Sequence, residues 1–580
     1  MPVDRRAVQE KRLLSHAGDK QQRPLLSRRG NDTGNGSRSE KNLQAAICLL
    51  LVELCERFTF FGIVCNMILF CTVKLGYCNY QAAIVNMCFV GTSMLTPVLV
   101  GWLAECLVGR IKLVCICLFL HFLGTVLLPV VAFPFEDIYI DRRHILHTLT
   151  KKEQKIVFYF ALLTASLGIG GIRAIVCPLS AYNLEDCGLK ELLSFFNWFY
   201  WLVNLNSAVV FVSISYIQQS VARNLGFLIP FVSVLMAMIT IHMVRGEMIY
   251  KPKTESSLLT TFGVITSALK TCCVRYRCLS GGVTNWLDHA KENYGGRYSE
   301  AQVESTKSLA RLFPLFAFQI LYRTCIMQIP SGYYLQTMNS NLNFSGFVLP
   351  IAAMNVISIV PLLILVPILE CINSCLFSSK GSRDASFFSI AGQLCAALSV
   401  MVAGFSEMHR KRFPQVEQTL SKEVLLVSSM PCFHLAPQYI LLGVAEALVT
   451  PCCSLLSFRL VPERIRGISM HFLTLFNGAG CFIGAFIVQT VHTGSRGNWF
   501  PHLLHEGKLE RFFFFLASLM MANTLGFWTI AHRYNDLSQE YTKEFRGSLP
   551  EAKPLQHQKA IKFYDSVLDC SPILSPMETT

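Results

Sequence analysis

The sequence predicts an all-α polytopic membrane protein with twelve spanning helices arranged as two sets of six. Two observations predict this fold class. The first is composition, because 52% of the 580 residues are hydrophobic and only 15% are charged, whereas a soluble domain carries about 25% charged residues. The second is a series of long apolar runs separated by polar segments. Together they exclude a soluble enzyme, a disordered chain and a small disulfide-linked scaffold.

Each apolar run reaches the roughly 20 residues that a helix needs to cross a bilayer. The runs lack the every-second-residue alternation of barrel strands, so each is predicted to be a helix. Six runs precede and six follow a polar stretch at 245–308, which is the layout of the major facilitator transporters, whose site lies between the halves. The runs lie near residues 43–70, 79–103, 111–133, 155–180, 192–216, 223–244, 309–336, 346–370, 384–405, 434–459, 465–492 and 511–532.

The runs also set the predicted domain boundaries. We expect a tail over 1–42, a six-helix half over 43–244, a linker over 245–308, a second half over 309–533 and a tail over 534–580. The tails and the loops on their side of the membrane hold most of the Lys and Arg residues, which predicts that both termini and the linker are cytosolic. The net charge of +14 is therefore attributed to membrane orientation rather than to nucleic-acid binding.

Other patterns limit the function. In the linker, Ser256–Lys270 mixes apolar and polar residues, so it is expected either to lie on the inner membrane surface or to form a soluble helix. No two cysteines have C-x-x-C spacing, and no phosphate-binding loop or hydrolase motif is present. We therefore predict no enzyme activity, no catalytic residue and no metal site.

Charged residues inside the predicted spans are the candidate functional residues, since a charge at the bilayer centre costs about 3 kcal/mol. Glu53, Glu56 and Arg57 lie within about one turn and on one side of the first helix. Two carboxylates beside one arginine exceed what a static ion pair needs, and a carboxylate with a neighbouring carboxylate can exchange a proton. The alternative is a static ion pair that fixes helix packing.

The other candidates are Arg173, Arg323 and Glu446, in the fourth, seventh and tenth spans, with Glu370 at the end of the eighth. For Arg323 and Glu446, a static structural role is as good an interpretation as a functional one. Arg323 needs an anionic partner, because an unpaired arginine at this depth would be costly. Glu370, Glu446 and a solute carboxylate in the cavity are the candidates for that partner.

Four motifs resemble those of the proton-coupled oligopeptide transporters, solute carrier family 15. Glu53 begins E-L-C-E-R-F, which is similar to the family's E-x-x-E-R-F, and Arg173 ends G-G-I-R, which is similar to its G-G-I-K. The fifth span contains F-Y-W-L-V-N, ending at Asn204, which resembles F-Y-x-x-I-N. The tenth contains P-Q-Y followed by Glu446, which resembles P-Q-Y…E. The resemblance implies a major facilitator fold and proton-driven symport by alternating access, without a cofactor.

The resemblance also implies residue roles. In the family, the acidic and basic residues of the first and fourth helices form a salt-bridge network linked to protons and substrate. On this chain those positions are Glu53, Glu56, Arg57 and Arg173. The family's peptide-contacting residues fall on Tyr200 and Asn204, and we add Arg323 and Glu446 as candidate cavity residues.

The chain departs from the family at the positions that hold the peptide. Val64 replaces the arginine that binds the peptide carboxylate, and Leu455 replaces the glutamate that binds its amino group. Phe60 and Phe61 replace two tyrosines of the first helix. The gating charges are thus kept, whereas both ends of the peptide clamp are lost.

Three functions remain open on these grounds. The first is a proton-coupled symporter of oligopeptides or peptide-like solutes. The second is a proton-coupled carrier of a non-peptide solute on the same scaffold, and the third is a non-transporting receptor or scaffold. The expected partners are protons, a small solute such as a di- or tripeptide, and the lipid of a plasma or endolysosomal membrane.

Overall fold

All twelve predicted apolar runs fall on helices, as expected for a chain that must satisfy its backbone hydrogen bonds within a bilayer. The computed structural model describes residues 31–106, 110–132, 151–185, 189–221, 225–244, 257–275, 286–294, 296–376, 381–420, 423–459, 461, 466–502 and 504–547. The helices of the N-terminal half are α1 (Asn31–Leu69), α2 (Asn79–Cys106), α3 (Arg110–Ala132), α4 (Lys151–Glu185), α5 (Leu189–Tyr216) and α6 (Leu225–Val244).

The linker and the C-terminal half continue the helical pattern. The linker contains α7 (Ser257–Arg275) and α8 (Glu300–Ala310). The second half contains α9 (Phe313–Ile326), α10 (Tyr334–Met338), α11 (Met354–Leu376), α12 (Gly381–Arg410), α13 (Ala436–Arg459), α14 (Arg466–Gly494) and α15 (Leu509–Gly547). A π-helical turn at Ile329–Tyr333 connects α9 to α10 within one span. Among the described residues, nine helices are long and apolar enough to cross a membrane.

Some helices extend beyond the apolar runs. The first begins at Asn31 rather than near residue 43, and the last ends at Gly547 rather than near 532. Hydropathy locates the segment that suits the bilayer, but it does not indicate where a helix ends in water. The apolar runs therefore predicted the spans better than the helix ends.

Two short hairpins lie between helices of the second half. The strands β1 (Asn343–Phe344) and β2 (Phe347–Val348) pair antiparallel, as do β3 (Gln415–Leu420) and β4 (Glu423–Ser428). We call the side of the bundle that carries β3 and β4 the hairpin side. The opposite side, which carries α7, is called the linker side.

Hydrogen bonds join the two halves on the hairpin side. Asn86 Nδ2 donates to the carbonyl oxygen of Pro330 at 2.8 Å. Gln219 donates to the carbonyl of Leu349 at 3.1 Å and accepts from the amide of Ile351 at 3.0 Å. The hairpin-side ends of α2 and α5 are therefore fastened to the second half.

A further contact closes the same side. Asn79 Nδ2 donates to the carbonyl oxygens of Pro501 and His502, at 3.2 and 2.7 Å. Next to it, the ring of Tyr80 stacks on the ring of His492, with 3.6 Å between centroids. These contacts hold the first turn of α2 against the end of α14 and the loop that follows it.

A buried ion pair supports the hairpin side within the second half. Arg410 Nη2 lies 2.6 Å from Glu407 Oε1, and the two residues are 1% and 0% exposed. Gln336 donates to Glu407 at 3.1 Å, and Arg410 donates to the carbonyl of Asn339 at 3.1 Å. These contacts tie α12 to α10, and neither charged residue was among the predicted site residues.

The predicted amphipathic segment of the linker is the helix α7. Its residues Val264 and Ala268 are fully buried in a small apolar cluster that includes Leu287. The ring of Phe262 lies 5.4 Å from the ring of Phe472 on α14. One face of α7 thus packs on protein, where Phe262 reaches a spanning helix of the second half.

An ionic cluster lies beside α7. Lys291 Nζ lies 3.1 Å from Asp288 and 2.8 Å from Glu304, and Lys307 Nζ lies 2.6 Å from Asp288. Burial would raise the pKa of Asp288, but hydrogen bonds from Lys307 and Lys291 outweigh this effect and lower it. Hydrogen bonds to Glu304 and Glu300 raise the pKa of Lys291.

Candidate functional site: a charge network between α1 and α4

The centre of the candidate site is the acidic face of α1. Glu53 and Glu56 are 2% and 1% exposed, although both are carboxylates within a predicted span. Arg57 Nη2 donates to Glu53 Oε1 at 3.0 Å, and Arg57 Nε lies 3.5 Å from Glu56 Oε2. Spacings of three and four residues place the three side chains on one face of the helix. Arg57 keeps 24% of its side chain exposed, so the network has a solvent-accessible edge.

Arg173 joins the cluster from α4. Its Nε donates to Glu56 Oε1 at 3.0 Å, and its Nη2 lies 2.9 Å from the same oxygen. The guanidinium also lies over the ring of Phe60, 4.2 Å from its centroid, which is a cation–π contact. One carboxylate thus serves two arginines that belong to two helices.

Glycines allow α4 to approach closely enough for this contact. A Cβ atom at Gly170 would lie 2.5 Å from Thr96 Cβ on α2, and one at Gly171 would overlap Cys117 Sγ on α3. These residues therefore have to be glycine for α4 to pack at this distance. Because they lie three and two residues before Arg173 on the same helix, their close packing also fixes where its side chain leaves α4.

This arrangement can act as a proton-dependent switch. With both carboxylates ionised, Glu53 and Glu56 balance Arg57 and Arg173, and the network has no net charge. A proton on Glu56 would remove one of these negative charges and release two guanidinium groups at once. The contact between α1 and α4 would then weaken, and the exposed edge of Arg57 would become available to an anion.

A histidine that the sequence analysis did not single out lies near this network. His121 on α3 is 1% exposed and interacts electrostatically with Glu56 and Arg173. Its backbone packs against Gly168 of α4. A histidine inside an apolar run was the signal that could have identified it.

The predicted peptide-contacting residues lie on α5. Asn204 is half-buried there, and the neighbouring Asn206 donates to the carbonyl of Leu54 at 2.9 Å, which holds α5 against α1. Tyr200 belongs to the same helix, but its side chain lies outside the described part of the chain, as do those of Glu370 and Leu455.

The clamp position on α1, Val64, has apolar surroundings. Val64 is 8% exposed and belongs to a buried hydrophobic cluster. The rings of Phe60 and Phe61 lie 5.4 Å apart, and Phe61 meets the ring of Phe211 at 5.5 Å. The wall of α1 beyond the charge network is therefore built of aromatic and aliphatic groups where the resemblance implies hydroxyls and an arginine.

The C-terminal candidates are close to one another but do not form an ion pair. Arg323 on α9 and Glu446 on α13 are both half-buried and interact electrostatically. No carboxylate of a described residue lies within 4.0 Å of the Arg323 guanidinium. Of the three candidate partners of Arg323, Glu446 is therefore not within ion-pair distance in this conformation, and the side chain of Glu370 lies outside the described part of the chain.

The chain matches known transporters along most of its length. A sequence profile of the POT family matches residues 111–500. Human solute carrier family 15 member 5 is 60% identical over 576 residues, which cover 99% of this chain and 97% of that protein. The NRT1/PTR family 5.4 protein of Arabidopsis thaliana is 25% identical, over 86% of this chain and 95% of that protein.

Solved structures show the same fold. An auto-inhibited POT family peptide transporter matches with a TM-score of 0.65 at 16% identity, covering 88% of this chain and 99% of that one. A POT family transporter in complex with 5-aminolevulinic acid matches with a TM-score of 0.61 at 14% identity, covering 84% of this chain and 96% of that one. Both confirm the predicted major facilitator fold.

Proposed function

Because this chain belongs to the POT family of membrane transporters, we propose that it is a proton-coupled symporter of peptide-like solutes that works by alternating access. The observation that carries the proposal is the shared carboxylate of Glu56, which meets Arg57 and Arg173 at 3.5 and 2.9 Å. A symporter needs a buried acid whose protonation changes a helix contact, and Glu56 has this arrangement. Glu53 beside it modulates its proton affinity.

The closed hairpin side supports alternating access. Asn79, Asn86 and Gln219 fasten the halves there, whereas Thr450, one turn after Glu446 and towards the linker side, is exposed. We propose that this conformation opens to the linker side and that the linker and both termini are cytosolic. The opposite conformation would then require these hairpin-side hydrogen bonds to break. The host is a plasma or endolysosomal membrane.

The peptide-like solute is expected to differ from an ordinary dipeptide. A dipeptide is a zwitterion, and each lost charge partner costs about 2–5 kcal/mol in a buried site. Val64 and the Leu455 position provide neither charge. We therefore expect weak and poorly saturable dipeptide uptake, with Tyr200, Asn204 and Arg173 supplying the remaining polar contacts.

The apolar clamp positions favour a second candidate, a proton-coupled carrier of a non-peptide solute. The aromatic wall of Phe60 and Phe61 suits a less polar solute than a peptide. The POT family transporter that binds 5-aminolevulinic acid supports the view that this fold accepts small solutes of more than one kind. A non-transporting receptor is the third candidate.

Uptake by the purified protein in proteoliposomes tests the proposal. Radiolabelled dipeptides, tripeptides and small amino and carboxylic acids are offered with and without an imposed pH gradient. We expect at least one solute to accumulate only when the outside is acidic. Binding of a solute without any transport would contradict symport and favour a receptor, and uptake that ignores the pH gradient would contradict proton coupling.

A further inference from the structure

Arg323 is a half-buried arginine that is not in an ion pair with any described residue. By contrast, Arg57, Arg173 and Arg410 each have a carboxylate oxygen within 3.0 Å. No described carboxylate lies within 4.0 Å of the Arg323 guanidinium, and its buried Nε has no hydrogen-bond partner among the described residues. An unpaired guanidinium within a spanning segment is costly. Arg323 is therefore a candidate for binding an anion from outside the protein.

The side chain of Arg323 starts on the face of α9 that turns away from lipid. The exposed residues of α9 are Pro314 and Ala317, and Arg323 lies on the opposite side of the helix. On that side α9 packs mainly within the bundle, against α14 and α15, whereas α11, which carries Glu370, packs mainly against α13 and α5. This packing favours an anion from the cavity over Glu370 as the partner.

The position of the side chain is fixed by α14. A Cβ atom at Gly480 would lie 2.8 Å from the Cβ of Arg323, so the two helices are in close contact at this point. Thr324, the next residue of α9, donates its hydroxyl to the carbonyl of Gly480 at 3.0 Å. The thiol of Cys481 contacts the guanidinium. These contacts hold the arginine in place without neutralising its charge.

The same contacts place Arg323 beside the interface between the two halves. A Cβ atom at Gly91 on α2 would lie 3.1 Å from the Cβ of Cys481 on α14. Because Cys481 also contacts the guanidinium, a single side chain separates Arg323 from the N-terminal half. The solute site of this fold lies between the halves. Arg323 is therefore positioned to contact a solute there.

The charge next to Arg323 limits which anion it can bind. Glu446 interacts electrostatically with Arg323 but lies beyond ion-pair distance. Its carboxylate leaves room for one negative group at the guanidinium and repels a second one nearby. A monoanion is therefore a better match for this place than a dianion.

We propose that Arg323 binds the carboxylate of a small organic monoanion, and that such anions are solutes of this carrier. A guanidinium can form two parallel hydrogen bonds with a carboxylate. Arg323 would thus supply, from α9, the positive charge that Val64 does not supply on α1. The half-buried ring of Phe61 offers an apolar surface to the body of the anion.

The charge balance of the cavity supports a monoanion. The N-terminal network has no net charge when both of its carboxylates are ionised, and the charges of Arg323 and Glu446 also sum to zero. A monoanion that enters together with one proton on Glu56 leaves this balance unchanged, whereas a monoanion alone leaves a net negative charge away from water. The anion and the proton therefore favour each other's entry, and for this coupling the inference rests on the proposed function.

Equilibrium binding to the purified protein in detergent at neutral pH, without a pH gradient, tests the site. The probes are butyrate, hexanoate and phenylacetate, and each is compared with its uncharged amide. Succinate is compared with butyrate, and the buffer contains sulfate instead of chloride. We expect at least one monocarboxylate to bind at least about tenfold more tightly than its amide, and succinate to bind more weakly than butyrate.

Variants of Arg323 locate the carboxylate. Arg323→Gln should bring the carboxylate and its amide to the same affinity, and Arg323→Lys, which keeps the charge but not the planar fork, should retain part of the preference. A loss of packing would weaken the carboxylate and the amide alike and would leave their ratio unchanged. The matched control, Glu510→Gln, removes a carboxylate that binds Lys411 on the hairpin side and should keep the full preference.

The proposal is overturned if no carboxylate is preferred over its amide, or if Arg323→Gln keeps the preference of the unaltered protein. It is also overturned if chloride displaces every carboxylate at equal concentration, because the site would then take an inorganic anion. None of these outcomes involves a proton gradient. Uptake that ignores the pH gradient would contradict the proposed symport but leave the binding ratios intact, and loss of the ratios would leave the proton assignment of Glu56 intact.

Discussion

The two halves of the molecule treat their buried charges differently. In the N-terminal half Glu56 and Arg173 meet at 2.9 Å, and Arg57 completes a network that the protein itself satisfies. In the C-terminal half Arg323 and Glu446 occupy the corresponding helices but remain more than 4.0 Å apart. One repeat therefore satisfies its buried charges within the protein, whereas the other holds an arginine and a glutamate beyond ion-pair distance.

The largest effect is expected from a change in the N-terminal charge network, at Glu56. Glu56→Gln removes the exchangeable proton but keeps the size of the side chain. A pH difference of about one unit can drive about tenfold accumulation per coupled proton, and the variant should lose all of it while counterflow exchange persists. Uptake into proteoliposomes measures this, and the matched control is Glu510→Gln, which removes a carboxylate that binds Lys411 on the hairpin side. Undiminished gradient-driven accumulation in Glu56→Gln would show that another group carries the proton.

A third buried pair sharpens the comparison, because Glu407 and Arg410 are fully enclosed and well satisfied. Arg410→Met leaves the Glu407 carboxylate buried without its cation and should lower the free energy of unfolding by about 3–5 kcal/mol. The double change Arg410→Met with Glu407→Leu should recover most of this loss. Thermal unfolding in detergent compares the variants. If the double variant is no more stable than the single one, the uncompensated carboxylate is not the source of the loss.

The smallest effect concerns charges outside the membrane. The pKa of Asp288 is lowered, so its contribution to linker stability is present above about pH 4, the unfolded value, and is lost as the pH falls through the folded pKa. The pKa of Lys291 is raised, so its contribution is present below about pH 10 and is lost at still higher pH.

The protection of the linker amides from hydrogen exchange should therefore be constant between about pH 5 and 9 and should decline in acid. Because Glu300 and Glu304 are exposed, Lys291→Met should reduce it by only about 1 kcal/mol. Amide hydrogen exchange over 257–308, corrected for intrinsic rates, measures both effects. The β3–β4 hairpin is the internal control. If Lys291→Met lowers stability by more than Arg410→Met does, the exposed linker charges contribute more than the buried pair, contrary to this prediction.

The sequence predicted the spanning helices and the family because these depend on local information. Apolar runs mark where backbone groups have to be satisfied without water, and the spacing of Glu53, Glu56 and Arg57 defines a helix face by itself. The contact between Arg173 and Glu56 was implied only by the family resemblance. It depends on the close packing of α4 at Gly170 and Gly171.

The rest depends on distances between helices, which composition and periodicity do not contain. Glu407 and Arg410 were missed because they lie beyond the end of an apolar run, where charges are assigned to loops. Glu446 was one of three candidate partners of Arg323, yet the two groups lie more than 4.0 Å apart. A charge in a span therefore indicates a site, but its partner has to come from the fold.

Proton influx measured directly tests the central claim, that solute movement and proton movement are one event. Proteoliposomes containing the unaltered protein and a trapped pH-sensitive dye are placed in acidic medium, and zwitterions, dipeptides and monocarboxylates are added one at a time. We predict that at least one solute accelerates acidification of the lumen and that Glu56→Gln abolishes the acceleration. Solute entry without any change in luminal pH would contradict the account.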